Sequence, residues 1–139
     1  MTIDSFLNTN VLVYAAAGKR DEPRKHAIAR QLVIDAAFGV SAQTLAEFYN
    51  AVGRKAAVKM PLDQVDRWIE ELADRPFTPV DEAIVRGGIY LSRRYLISYY
   101  DAALLAAAER LNAPIFYTED LKHQELYGSV RAINPFLEH

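Results

Sequence analysis

The first apolar block of the chain, Phe6-Leu7, stops at Asn8-Thr9-Asn10 and resumes as an apolar run from Val11 to Ala17, which Gly18 closes. The block reads as a buried strand reaching back to Ile3. After the charged loop Lys19 to Pro23, the proline is placed to open a helix. Ile28, Leu32 and Val33 then recur on one side of residues 26–36, at helical spacing. Phe38 to Ser41 is short and bounded, a second strand. Leu45, Phe48 and Val52 mark one face of a helix over 44–57. Leu62, Val65, Ile69 and Leu72 stripe the next helix, opened by Pro61. Residues 77–80 carry Pro79, which suits a short edge strand or an extended link. Asp81 can cap a helix running through Tyr95, with Gly87-Gly88 inside it. Leu104, Leu105, Ala108 and Leu111 keep register along an alanine-rich helix that Asn112-Ala113-Pro114 stops. Ile115 to Tyr117 is a buried strand, and Val130 to Ile133 is the last.

Strands alternating with helices predict an α/β fold, a three-layer α/β/α arrangement around a central, mostly parallel sheet of four to five strands. A length of 139 residues fits one domain, taken as 1–136. The closing Leu137-Glu138-His139 reads as the remnant of a cloning site and histidine tag. The chain has no cysteine, which removes disulfides, thiolate zinc sites and cysteine nucleophiles together. There is no secretory signal pattern and no run of about 18 apolar residues, so the expected setting is the cytoplasm, away from membranes. A net charge of −2 argues against a non-specific nucleic-acid coat but leaves room for a local basic groove.

In open α/β sheets ligands bind beyond the carboxyl ends of the strands. Asn8 and Asn10 follow the first strand, and Glu47 lies early in the helix after the second. Asp101 lies in the first turn of the alanine-rich helix, and Thr118, Glu119 and Asp120 follow Ile115–Tyr117. Each acid has an ordinary explanation by itself. Thr44-x-x-Glu47 and Ser98-x-x-Asp101 are both capping-box patterns, and Asp120 could be a turn residue. Their common edge of the sheet points to function. Clustered carboxylates raise one another's pKa, and a cation relieves the repulsion. An all-oxygen donor set without Cys or placed His selects Mg²⁺ or Mn²⁺. Such an ion can activate water and stabilise charge on a phosphoryl oxygen, the chemistry of phosphodiester hydrolysis. Arg54, Arg86 and Arg93 are candidates for a phosphate-binding rim. Lys19, Arg20, Arg24 and Lys25 read as plain surface, as do His26 and His123. The stripe Leu62 to Leu72 with Trp68 is either core or a groove for a partner helix.

Five blocks carry a resemblance. Phe6 to Tyr14 resembles the opening of PIN-domain proteins, in which Asp-Thr-Asn stands at Asn8–Asn10. Gln43 to Tyr49, Ser98 to Leu104, Tyr117 to Leu121 and Ile133 to Phe136 are similar to the later family blocks, in order and at matching length. The size and the Asn-Pro-Phe ending look most like VapC-type toxins of type II toxin–antitoxin pairs. The resemblance implies an endoribonuclease dependent on Mg²⁺ or Mn²⁺, often a homodimer, acting on RNA and silenced by a VapB-like antitoxin. It implies acidic-site roles for Asn8, Glu47, Asp101 and Asp120, and a supporting role for Thr118. Either Glu119 or Asp120 is left to face the metal. The departure is Asn8, which has the shape of aspartate without its charge or basicity. Weak metal binding and little cleavage are expected from it. An engineered exchange and a natural inactive member both fit. The alternative, from another class, is a non-catalytic PIN-like module that binds RNA or protein. A nucleotide-binding domain is disfavoured, because no glycine-rich phosphate loop follows the first strand.

Overall fold

The computed structural model describes residues 2–54 and 60–138. Six strands form one sheet: β1 (Ser5–Leu7), β2 (Phe38–Ser41), β3 (Phe77–Thr78), β4 (Ile115–Tyr117), β5 (Leu126–Tyr127) and β6 (Val130–Ile133). Their spatial order is β3-β2-β1-β4-β6-β5. All pairs are parallel except β5 with β6. Among the described residues the α-helices are α1 (Thr9–Ala17), α2 (Pro23–Asp35), α3 (Ala42–Tyr49), α4 (Leu62–Ala73), α5 (Glu82–Tyr95) and α6 (Tyr99–Arg110).

Side chains alternate across a strand, so neighbours in β1 serve opposite faces. Phe6 packs with Phe116, Ala132 and the apolar sides of α5 and α6. Leu7 packs with Phe38, Val40 and residues of α1 to α4. The three layers expected from the sequence are therefore present, with two helices on one face and four on the other. Against the four to five strands expected, β1, β2, β4 and β6 are found, and the stretch at 77–80 supplies β3. The sixth, β5, turns back on β6 through Gly128, whose φ of +60° suits glycine.

The sequence assigns no element type to one stretch, and another element starts elsewhere than expected. The apolar run after Asn8 is a helix, α1, and Gly18 ends it by donating to the Tyr14 carbonyl. The helix expected from Thr44 begins at Ala42, because Ser41 is its cap. The Ser41 hydroxyl accepts from the Thr44 amide while the Thr44 side chain accepts from the Ser41 amide. Thr44-x-x-Glu47 is thus not the capping box, and Glu47 is released from that duty. Beyond Tyr49 the helix widens into a π-helical turn, Asn50–Arg54.

Helices α5 and α6 form a close hairpin over one face. A Cβ on Gly88 would stand 3.0 Å from the Ala103 Cα, tight enough that a side chain there would have to push the two helices apart. Asp81 fastens the far end. It caps α5 through the Ile84 amide and accepts two bonds from Arg110 at the end of α6. The guanidinium holds its carboxyl below the usual range. No helix among the described residues is long and apolar enough to cross a membrane.

Candidate active site at the switch between β1 and β4

From β1 the chain runs outward to β2 and β3 on one side, then returns to place β4 on the other. The ends of β1 and β4 therefore flank the topological switch point, where open α/β sheets bind ligands. Asn8 and Thr118 stand there. The pairing persists past the strands, with the Asn8 amide donating to the Tyr117 carbonyl at 2.9 Å.

Asn8 occupies the N-cap position of α1 but makes no side-chain cap bond. Its side chain, 4% exposed, is turned into the cleft. There Nδ2 donates to Thr118 Oγ1 at 2.8 Å and approaches Asp120 Oδ2 at 3.4 Å. Asn10, the second residue of α1, donates from its own Nδ2 to the same Asp120 oxygen at 3.0 Å. Two amides thus converge on one carboxylate. The Asn10 Oδ1 is buried and has no partner among the described residues.

Asp101 lies in the first turn of α6, where the Ser98 hydroxyl caps the helix through the Asp101 amide. Burial pushes its carboxyl above the usual value, and the charges of Asp120 and Glu47 push it further. Asp120 is also raised, chiefly by desolvation and by Glu119, against the lowering bonds from Asn8 and Asn10. Glu47 reaches the group from α3. Thr9 Oγ1 donates to its Oε1 at 2.7 Å and Gln43 Nε2 to its Oε2 at 2.9 Å. Gln43 also donates to the Tyr100 carbonyl, tying α3 to the start of α6. Asn8, Glu47, Asp101 and Asp120 therefore share one electrostatic patch.

Glu119 and Asp120 part company. Glu119 turns away to Tyr14 and Lys25, with Tyr14 Oη donating at 2.5 Å and Lys25 Nζ at 2.8 Å. Burial and Glu119 raise the Tyr14 phenol, and the Glu119 bond raises Lys25. Asp120 alone faces the cleft. Lys25 is therefore not plain surface. His26 and His123 are also half-buried and bonded, to the Tyr14 carbonyl and the Asn134 amide. Composition gave no sign of these roles, since each partner lies far away in sequence.

The candidate basic rim is not brought to the acids by any described contact. Arg86 pairs with Glu82 on its own helix. Arg86 and Arg93 line an open groove with Ile89, Tyr90 and Arg94 on the outside of α5. The Arg54 side chain lies outside the described residues.

The donor set is all oxygen, the kind that suits Mg²⁺ or Mn²⁺. As it stands it does not fit a tightly held ion. No three acidic or imidazole side chains among the described residues gather closely enough to hold one. Asp120 Oδ2 is already bonded by two amides.

Comparisons with known proteins agree with this architecture. The toxin–antitoxin complex from Klebsiella pneumoniae matches with a TM-score of 0.66 at 18% identity, covering 95% of this chain and 98% of that one. Mycobacterium tuberculosis VapC20, described as a Sarcin-Ricin loop cleaving toxin, matches with a TM-score of 0.66 at 15% identity, over 84% and 90%. VapBC2 from Rickettsia felis, bound to a DNA fragment from its promoter, matches with a TM-score of 0.63 at 17% identity, over 94% and 97%. No curated protein sequence matches. The PIN domain profile covers residues 5–129, so a sheet read as PIN-like from five short blocks is one in fact: this chain belongs to the PIN-domain family.

Proposed function

We propose that this protein is an endoribonuclease toxin of a toxin–antitoxin pair, weakened at Asn8. One observation carries the reading. Asn8, Glu47, Asp101 and Asp120 arrive from four separate elements at the switch point of the sheet. Folding pressure alone does not gather acids there, because burial first and neighbouring carboxylates second raise Asp101 and Asp120 and so disfavour their charged forms. Phosphodiester hydrolysis at a Mg²⁺ or Mn²⁺ centre is the chemistry that uses such a set. In this reading Asn8, Asp101, Asp120 and Glu47 form the metal-facing group, with Asn10 and Thr118 in support. Glu119 serves elsewhere.

RNA is the proposed substrate, in keeping with the activity named for the Mycobacterium tuberculosis neighbour. A VapB-like antitoxin is the proposed protein partner, since other neighbours are toxin–antitoxin complexes. The groove between α2 and α4, lined by Val33, Ile34, Trp68 and Leu72 and fringed by Arg30 and Arg75, is the proposed seat for it. A homodimer in the cytoplasm completes the assignment, and the rim of Arg86 and Arg93 is kept as an RNA-phosphate contact.

The test is to restore Asn8→Asp and assay RNA cleavage with Mg²⁺ or Mn²⁺. Gain of metal-dependent cleavage supports the reading, and none sinks it. The second reading is a module that binds RNA or protein without cutting. It is favoured by one detail: two neutral amides already donate to one Asp120 oxygen without a cation. Under it, Asn8→Asp gains neither metal affinity nor cleavage.

A further inference from the structure

Asp120 sits on an exposed loop, and its two bonds toward the cleft are modest, at 3.0 and 3.4 Å. Something else must set its direction. We propose that Tyr14, Lys25 and Glu119 form a positioning clamp that turns the loop after β4 so that Asp120 faces Asn8. The three are not part of the acidic group, and they act on it through the backbone between Glu119 and Asp120.

The geometry is specific. Both oxygens of Glu119 are taken, one by the Tyr14 hydroxyl from α1 and the other by the Lys25 ammonium from α2. The pair is partly shielded, with side-chain exposures of 28% for Lys25 and 21% for Glu119. It is therefore screened less than an open surface pair. The Lys25 ammonium also lies 5.0 Å from the Tyr14 ring centre and 5.6 Å from that of Phe136. Phe136 meets the Tyr14 ring edge-on at 5.2 Å and so closes the clamp from the C-terminal segment. On the same loop Thr118 Oγ1 accepts from the Asp120 amide at 3.1 Å. With Glu119 anchored on one side and Thr118 fixed at the strand end, the Asp120 carboxylate is directed to the other side.

This clamp deepens the proposed function and rests on it only where metal is concerned. The first arm uses the chain as it is. The Asn10 side-chain amide protons, bonded to Asp120, are followed by NMR in Lys25→Met, Tyr14→Phe and Lys25→Arg. Tyr14→Phe keeps the ring against Phe136 and removes only the hydroxyl. The clamp predicts that Met and Phe shift these signals toward free-amide positions and speed their exchange, that Arg largely preserves them, and that the Trp68 indole signal stays put in all three. Unchanged Asn10 signals in a folded Tyr14→Phe protein overturn the proposal. So does Asn10 movement matched by equal movement at Trp68, which means general loosening. The second arm adds Lys25→Met to Asn8→Asp and measures Mn²⁺ affinity by calorimetry. A loss of roughly tenfold is expected, as for outer partners of metal ligands, with recovery in Lys25→Arg. Mn²⁺ binding to Asn8→Asp that Lys25→Met leaves unaltered counts against the clamp. Absence of any Mn²⁺ binding to Asn8→Asp defeats the nuclease reading instead, and the NMR arm still decides the clamp.

Discussion

At Asn8 a single nitrogen stands where an aspartate would carry oxygen, and that atom donates into the cleft. With oxygen in its place the bond to Thr118 inverts, the one to Asp120 is lost to repulsion between two carboxylates, and a fourth negative group joins Glu47, Asp101 and Asp120. Asn8→Asp should therefore lower the stability of metal-free protein by about 1–3 kcal/mol. Thermal melting in chelator checks this, and Mn²⁺ should return much of the loss in the variant while barely moving the parent. Burial of Asp101, with repulsion from Asp120 and Glu47 added, yields a pH signature. The folded-state pKa of Asp101 is raised above its ordinary 3.8, so charging it disfavours the fold. That penalty is full above the raised value and fades as pH falls through it toward 3.8. Asp101→Asn should stabilise the protein at pH 7 and give little or nothing near pH 4. A melting series over that range tests the sign, and equal gains at both ends would refute it.

Among the elements, the α5–α6 hairpin offers the sharpest contrast. Alanine normally improves on glycine in a helix by about 0.5–1 kcal/mol. At Gly88 the new methyl would press the Ala103 backbone at 3.0 Å, which cannot retreat, so Gly88→Ala should destabilise by about 1–3 kcal/mol. At Gly87 the nearest atom is the Ala106 methyl at 3.3 Å, and Gly87→Ala should come out near neutral. Urea melts of the two variants decide between contact and propensity. Elements differed in how far sequence disclosed them. Pro23, Asp81 and Ser98 announced their helices because caps and prolines act locally. The Val11–Ala17 run hid its helix, since α1 is apolar on most sides and a buried helix has no polar face to set a period. β5 is two residues long, too short to alternate, and exists because β6 pairs with it. That Asn8, Glu47, Asp101 and Asp120 come together was legible through strand ends and helix starts. Lys25, Tyr14 and Gln43 were not, because what singles them out is a partner many residues away.

Across the whole molecule, one sheet serves two apolar clusters. Phe116 belongs to the face under α5 and α6, and Phe48 to the face under α1 to α4. Both are completely buried. Because neighbouring residues of β1 feed the two clusters, neither side can loosen while the other stays intact. Phe116→Ala and Phe48→Ala should each cost about 3–5 kcal/mol and shift one common unfolding transition. Tryptophan fluorescence follows Trp68 beside Phe48, and far-ultraviolet circular dichroism follows all helices. The two probes should give coincident curves in both variants, and separated curves would mean that the layers melt independently.

The two outermost strands have a consequence for how this protein meets other copies of itself. β3 and β5 are each two residues long, and prolines at positions 76 and 79 bracket β3, where they contribute no N–H. A sheet bounded this way offers almost no open row of amides and carbonyls on which a foreign strand could crystallise. Polymerisation by strand addition is blocked at both ends, and self-association is left to the helical surfaces.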